Sequence, residues 1–273
     1  MTEKEIVRAA LKEDRASRDL SAMMVPAKKG RAVILAKSDG ILAGIDLAGE
    51  VFRQLDKNIA FIILKKDGSR VKKGVIVARL EGNARTIISG ERTALNFLQH
   101  LSGIATFTNL FVKSAGKIKI YDTRKTIPGM REWEKYAVKL GGGFNHRLNL
   151  EDGVMIKDNH WRLWDGNLNT VHELLKDSWK RTDIVVEVDD LNKLETAFKF
   201  SPKVIMLDNM DTKGIKQAVS CIREKNKKIE IEVSGGVTLE RLNKLVKLGI
   251  DRVSVGAITQ SAPSLDLSLE IIE

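Results

Sequence analysis

The chain has 273 residues, enough to bury a sizeable core in one or two domains, and its 43% hydrophobic and 30% charged residues exclude a disordered polymer. The formal net charge is +10, which favours acidic partners, and no apolar run approaches the length of a membrane-spanning helix. A charged N-terminal stretch without the apolar core of a signal peptide, and a single cysteine that excludes an intramolecular disulfide, fit a cytoplasmic location.

The first hundred residues predict an α+β segment. Strands are expected at 32–37 (AVILAK), 60–65 (AFIILK) and 75–80 (VIVARL), with turns at KDGS (66–69) and KKG (72–74) and a helix over 45–55. Two helices follow, at about 84–101 and 104–115, broken at Ser102-Gly103, where a domain boundary is expected. Beyond it the pattern changes. Strands at 117–121, 153–156, 184–188, 204–207, 229–233 and 252–255 alternate with helical patterns at 131–140, 191–199, 212–225 and 239–248. The last four strands start 20, 25 and 23 residues apart, the length of a βα unit. The fold class is therefore α/β: a parallel β/α barrel, complete or incomplete, over 104–258 with a smaller α+β N-terminal domain over 1–103, and the family resemblance given below implies the incomplete parallel β/α barrel. A doubly wound sheet is the runner-up, but no GxGxxG turn follows any strand. The tail 259–273 alternates or is helical and is expected to return to the first domain. Cys221, in a helical pattern with Ile215, Ala218, Val219 and Ile222, is read as a packing residue.

In such barrels chemistry collects at the C-terminal strand ends. Read in order, those ends carry Asp122, Arg124 and Lys125, then Lys157, Glu187, Asp208, Ser234-Gly235-Gly236 and Gly256, while the loop GGGFNHR supplies His146 and Arg147. Each has a plain structural alternative. Arg124 and Lys125, taken alone, are equally well read as rim charges paired with Asp122. Gly141 can be a helix cap, and His146 a structural histidine. Glu187 is harder to dismiss, because a carboxylate inside an apolar strand is costly unless it is paired or at the barrel mouth. Together, arginines suit carboxylates, glycine turns suit phosphate and paired acids suit Mg²⁺. A small polycarboxylate and a phosphorylated, Mg²⁺-bound sugar would satisfy all three. The lysines are scattered rather than blocked with aromatics, so nucleic acid is not an expected partner.

The stretches ERTALNFLQHLSGIAT (91–106), DTRKTIPG (122–129), EKYAVKLGGGFNHR (134–147), IKDNH (156–160), MLDN (206–209), SGG (234–236) and SVGAITQSAP (254–263) closely resemble the quinolinate phosphoribosyltransferase family. The resemblance runs along nearly the whole chain in the family's order. It implies a dimer with shared sites that converts quinolinate and phosphoribosyl pyrophosphate to nicotinate mononucleotide, CO₂ and pyrophosphate with Mg²⁺. By the same resemblance, Arg92 from the neighbouring subunit joins Arg124, His146, Arg147 and Lys157 on quinolinate. Lys125, Glu187 and Asp208 are the expected catalytic residues. They would also hold phosphoribosyl pyrophosphate, with Ser234, Gly235, Gly236 and Gly256 around phosphate. Glu187 and Asp208 would bind ribose hydroxyls or Mg²⁺, which is held mainly by substrate. Two positions depart from the pattern. Arg18-Asp19-Leu20-Ser21 replaces an early Gly-Asp-x-Thr segment, and Gln260 stands where many members have histidine. The nearest rival is a related barrel with another substrate, such as the pyrophosphorylase-like proteins associated with molybdenum transport.

Overall fold

The computed structural model describes residues 1–163 and 183–272, which form two compact units. Residues 1–109, 126–142 and 258–273 make the first, and 110–125 and 143–257 the second.

The first unit contains an antiparallel sheet, β12-β1-β5-β3 (β1 Lys29–Ala36, β3 Ala60–Ile63, β5 Ile76–Asn83, β12 Leu267–Ile272). A two-stranded pair, β2 Gly40–Ile41 and β4 Arg70–Val71, lies beside it in sequence. Helix α1, Glu3–Glu13, starts in a capping box between Thr2 and Glu5. Helix α2, Ile45–Leu55, has no side-chain cap at Gly44; Asp67 instead accepts the Gly44 and Ile45 N–H groups at 2.9 and 3.0 Å. Phe52 of α2 is buried and stacks on Phe61 of β3. A buried side chain of that size contributes about 1.5–3 kcal/mol.

The break expected at Ser102-Gly103 is absent: α3 runs unbroken over Ala84–Ser114. Gly103 serves close approach, since a Cβ there would sit 2.2 Å from the Pro263 carbonyl oxygen of the returning tail. Ser102 is used the same way. Its hydroxyl accepts the Ala43 N–H at 2.9 Å and donates to the Ala43 carbonyl at 3.2 Å. The tail itself forms β12, antiparallel to β1. Helix α4, Arg131–Leu140, completes this unit; its Glu134 is fully buried against His100 of α3 at 3.0 Å.

Among the described residues the second unit holds six parallel strands: β6 Lys119–Tyr121, β7 Val154–Ile156, β8 Ile184–Val188, β9 Val204–Asp208, β10 Glu230–Ser234 and β11 Arg252–Ser254. Their spatial order, β6-β11-β10-β9-β8-β7, is a circular permutation of chain order. A doubly wound sheet would reverse at a switch point, so this is an incomplete barrel. A single bridge, Tyr121 to Phe144, adds the NHR loop beside β6. Helix α5 (Asp158–Leu163) follows β7, and α6 (Leu194–Lys199), α7 (Thr212–Lys225), α8 (Leu239–Leu245) and α9 (Ala257–Gln260) punctuate the rest. Cys221 does not pack as expected. The buried stripe of α7 is Ile215, Ala218 and Ile222, and Cys221 lies off it, exposed.

Candidate active site

Register decides which side chains meet. Glu187 stands beside Met206, Met206 beside Glu232, Glu232 beside Arg252 and Arg252 beside Lys119. Cross-strand partners share a face, so these five lie across one layer. Two residues along the same face, Asp208 pairs with Ser234.

Glu187 is buried, with its Oε2 3.1 Å from the Lys157 ammonium. Burial raises its carboxyl above the usual range; Lys157 pulls it down, and the nearby Asp208 and Asp158 push it up again. The three residues Lys157, Glu187 and Asp208 are thus electrostatically one cluster. Asp208 accepts the Asn209 side-chain amide at 2.7 Å. Among the described residues no three His, Cys, Asp or Glu side chains could together hold a metal ion.

Asp122 is fully buried and accepts the His146 backbone N–H at 2.7 Å. Arg147 donates to the Gly153 carbonyl at 2.8 Å. Its guanidinium is pulled below its usual range by burial and by the positive charge of Arg124, against the effect of Asp152. The structure thus brings Arg124, His146 and Arg147 into one region. The Lys125 stem lies over Gly256, where a Cβ would be 3.2 Å from its Cδ. Arg92, on α3, is exposed, and it and Gln260 belong to the first unit.

Sequence reasoning missed the polar interior beneath these groups. Glu232 is wholly buried; its Oε1 meets His146 Nε2 at 2.9 Å and accepts the Ser254 hydroxyl, while Oε2 faces Arg252 Nε at 2.8 Å. Arg252 also reaches Glu230 at 3.1 Å and covers the Tyr121 ring at 4.8 Å. Lys119 closes the row on Glu230 at 3.4 Å. His146 and Arg147 line a cavity of about 350 Å³ together with Lys119, Tyr121, Glu230 and Arg252. The signal was present in IEIEV (229–233), where two acids alternate with apolar residues in a strand and so face one way.

Fold and site together define a β/α-barrel protein whose barrel unit carries cationic side chains, two neighbouring carboxylates and a glycine turn. Comparison with known proteins makes this specific. The N-terminal domain of quinolinate phosphoribosyl transferase matches residues 19–102 and its C-terminal domain residues 104–270. A probable nicotinate-nucleotide pyrophosphorylase (carboxylating) of Bacillus subtilis is 40% identical, over 95% of this chain and 90% of that protein. A quinolinate phosphoribosyltransferase (decarboxylating) of Nicotiana tabacum is 37% identical, over 98% and 82%. The solved nicotinate-nucleotide pyrophosphorylase of Francisella tularensis superposes with a TM-score of 0.90 at 41% identity, covering 99% of this chain and 96% of that one. The chain belongs to the quinolinate phosphoribosyl transferase family.

Proposed function

We propose that this protein transfers the phosphoribosyl group of phosphoribosyl pyrophosphate to the ring nitrogen of quinolinate, releasing pyrophosphate and CO₂ and leaving nicotinate mononucleotide for NAD biosynthesis. The observation that carries the reading is the presence, in one unit, of Arg124, His146, Arg147 and Lys157 with the Glu187–Asp208 pair and the Ser234-Gly235-Gly236 turn.

The difficulty of this reaction is that two anions must meet. Arg124, His146, Arg147 and Lys157 take the pyridine dicarboxylate, offsetting its repulsion from the diphosphate in a field already in place before reaction. Lys125 meets the phosphates beside Gly256, and the amides of the 234–236 turn hold phosphate. Mg²⁺, when bound, supplies charge neutralisation of the leaving pyrophosphate. The pyridine nitrogen displaces pyrophosphate at ribose C1 through an oxocarbenium-like state. Glu187 and Asp208 stabilise the positive charge on that carbon and orient the ribose hydroxyls. N-ribosylation makes the ring cationic, so the electron pair left by departing CO₂ is stabilised by the adjacent nitrogen, and the ring carbon then takes up a proton. No covalent nucleophile is required.

Arg92, exposed on α3, enters the site of a second copy in this reading, making the working protein a homodimer. A cytoplasmic location accompanies it, supported by the single cysteine; among the described residues no helix is long and apolar enough to cross a membrane. The test is nicotinate mononucleotide formation and release of labelled CO₂ from quinolinate, phosphoribosyl pyrophosphate and Mg²⁺, with nicotinate as the control. Nicotinate has one carboxylate for the same cations and is expected to turn over at least about 100-fold more slowly, a loss on the scale of one missing charge-stabilising contact. Comparable rates on the two acids would sink the two-carboxylate argument.

A further inference from the structure

Arg241 has no part in the mechanism above, and its position is unfavourable for the helix that carries it. It stands in the first turn of α8, where the helix dipole favours acids. Its guanidinium turns back out of the helix and donates to two backbone carbonyls, that of Gly235 and, at 2.8 Å, that of Met210. One carbonyl lies just past the end of β10 and the other just past the end of β9.

These are the turns that leave Ser234 and Asp208, which are cross-strand partners at the last rung of the sheet. Beyond that rung the Asn209 N–H still reaches the Ser234 carbonyl, at 3.2 Å. The backbone there is in left-handed conformations: Asn209 at φ 53°, Gly235 at 86° and Gly236 at 54°. The turns also interlock, since a Cβ on Gly235 would lie 2.0 Å from Asn209 Oδ1 and 2.8 Å from its backbone nitrogen. Asn209 in turn holds the Asp208 carboxylate at 2.7 Å. Glycine adopts these conformations freely, so Gly235 and Gly236 leave the β10 turn with little preference of its own, and Asn209 is the one non-glycine held left-handed in the β9 turn; an outside tie would fix both turns. The planar fork of an arginine can place separate donors on two carbonyls, whereas a lysine is a single point.

We infer that Arg241 is a positioning residue: it clasps the β9 and β10 turns and thereby sets the Ser234–Gly236 phosphate cradle against the Asp208 carboxylate. The inference rests on the proposed phosphoribosyl pyrophosphate role of that turn. It predicts an effect on one substrate only, because the quinolinate cations come from Arg124, the NHR loop and Lys157.

The test uses the full-length protein with Arg241→Ala, Arg241→Lys and, for comparison, Ser234→Ala. Steady-state kinetics and amide hydrogen exchange of the substrate-free protein are the two readouts. Arg241→Ala is expected to raise the KM for phosphoribosyl pyrophosphate about 10- to 100-fold, as a small misplacement of binding groups does. The quinolinate KM is expected to stay within about 2-fold of wild type, exchange of the Asn209 amide should accelerate, and Arg241→Lys should recover part of both. If Arg241→Ala does not fold, Arg241→Gln, which keeps one donor group, serves the same two readouts. Unchanged Asn209 exchange overturns the clasp whatever the kinetics, and an equal rise in both KM values overturns it in favour of general loosening. Accelerated exchange with both Arg241→Ala and Ser234→Ala silent in the phosphoribosyl pyrophosphate KM leaves the clasp standing and removes the phosphate role of the turn.

Discussion

Replacing Glu232 by glutamine and Arg252 by methionine, singly and together, tests the buried ionic row beneath His146. Glu232 is fully buried, its two oxygens divided between His146 with Ser254 and Arg252. Removing one member of a buried pair typically costs about 3–5 kcal/mol, because the other charge is left in a medium that solvates it poorly. Arg252 keeps Glu230 at 3.1 Å, and Glu230 is partly exposed, so the lower end applies and Glu232→Gln should lose about 3 kcal/mol. Arg252→Met should lose a similar amount, including about 0.5–1 kcal/mol for its contact with the Tyr121 ring. The double variant should lose about 3 kcal/mol rather than the sum, since its second change removes a charge the first had already stranded. Equilibrium urea unfolding at neutral pH measures all four corners of the cycle. Single losses that add to within about 0.5 kcal/mol would show that the two groups do not depend on each other, and would refute the reasoning.

Glu187→Gln should stabilise the protein near neutral pH while lowering turnover by about 100-fold or more. Burial raises the folded-state carboxyl, so its favourable contribution is complete below the unfolded carboxylate range and is lost as pH rises through the folded value. The melting-temperature gain of the variant should therefore be present at pH 7 and shrink on acidification; a gain independent of pH, or a loss, would contradict the assignment. Arg92→Ala and Arg147→Ala should each be inactive, and mixing them should restore some activity through hybrid dimers, to no more than about a quarter per site if each hybrid has one intact site. No recovery after verified subunit exchange would argue against a shared site.

Much of the fold was readable where one local period controls the outcome. The helices at 45–55, 131–140 and 212–225 and the strand at 184–188 lie where their apolar spacing puts them, because each helix buries an apolar face and the strand is buried and apolar except at Glu187. The continuity of α3 was not readable. Ser-Gly is a local breaker, but here Ser102 bonds Ala43 and Gly103 admits the chain at Pro263, partners distant in sequence. The strand at 267–272 likewise depends on β1 being present to pair with it.

The candidate site divides in the same way. Position at the strand ends brought Arg124, Lys125, Lys157, Glu187, Asp208 and the glycine turn to notice, but each alone had a structural alternative, and their conjunction and the family resemblance were what pointed to a site. Asp122 was visible too, but not what it does: it is buried, and it holds the backbone of His146. Glu232, Arg252 and Arg241 became meaningful only in three dimensions. Each owes its place to strand register or to a side chain doubling back across a turn, and neither is written in the periodicity of any one segment. By itself the sequence determined which residues carry charge and, to within a few residues, where the strands of the second unit lie. The tertiary structure decided which of those charges face one another, because in a parallel sheet neighbours in space come from βα units far apart along the chain.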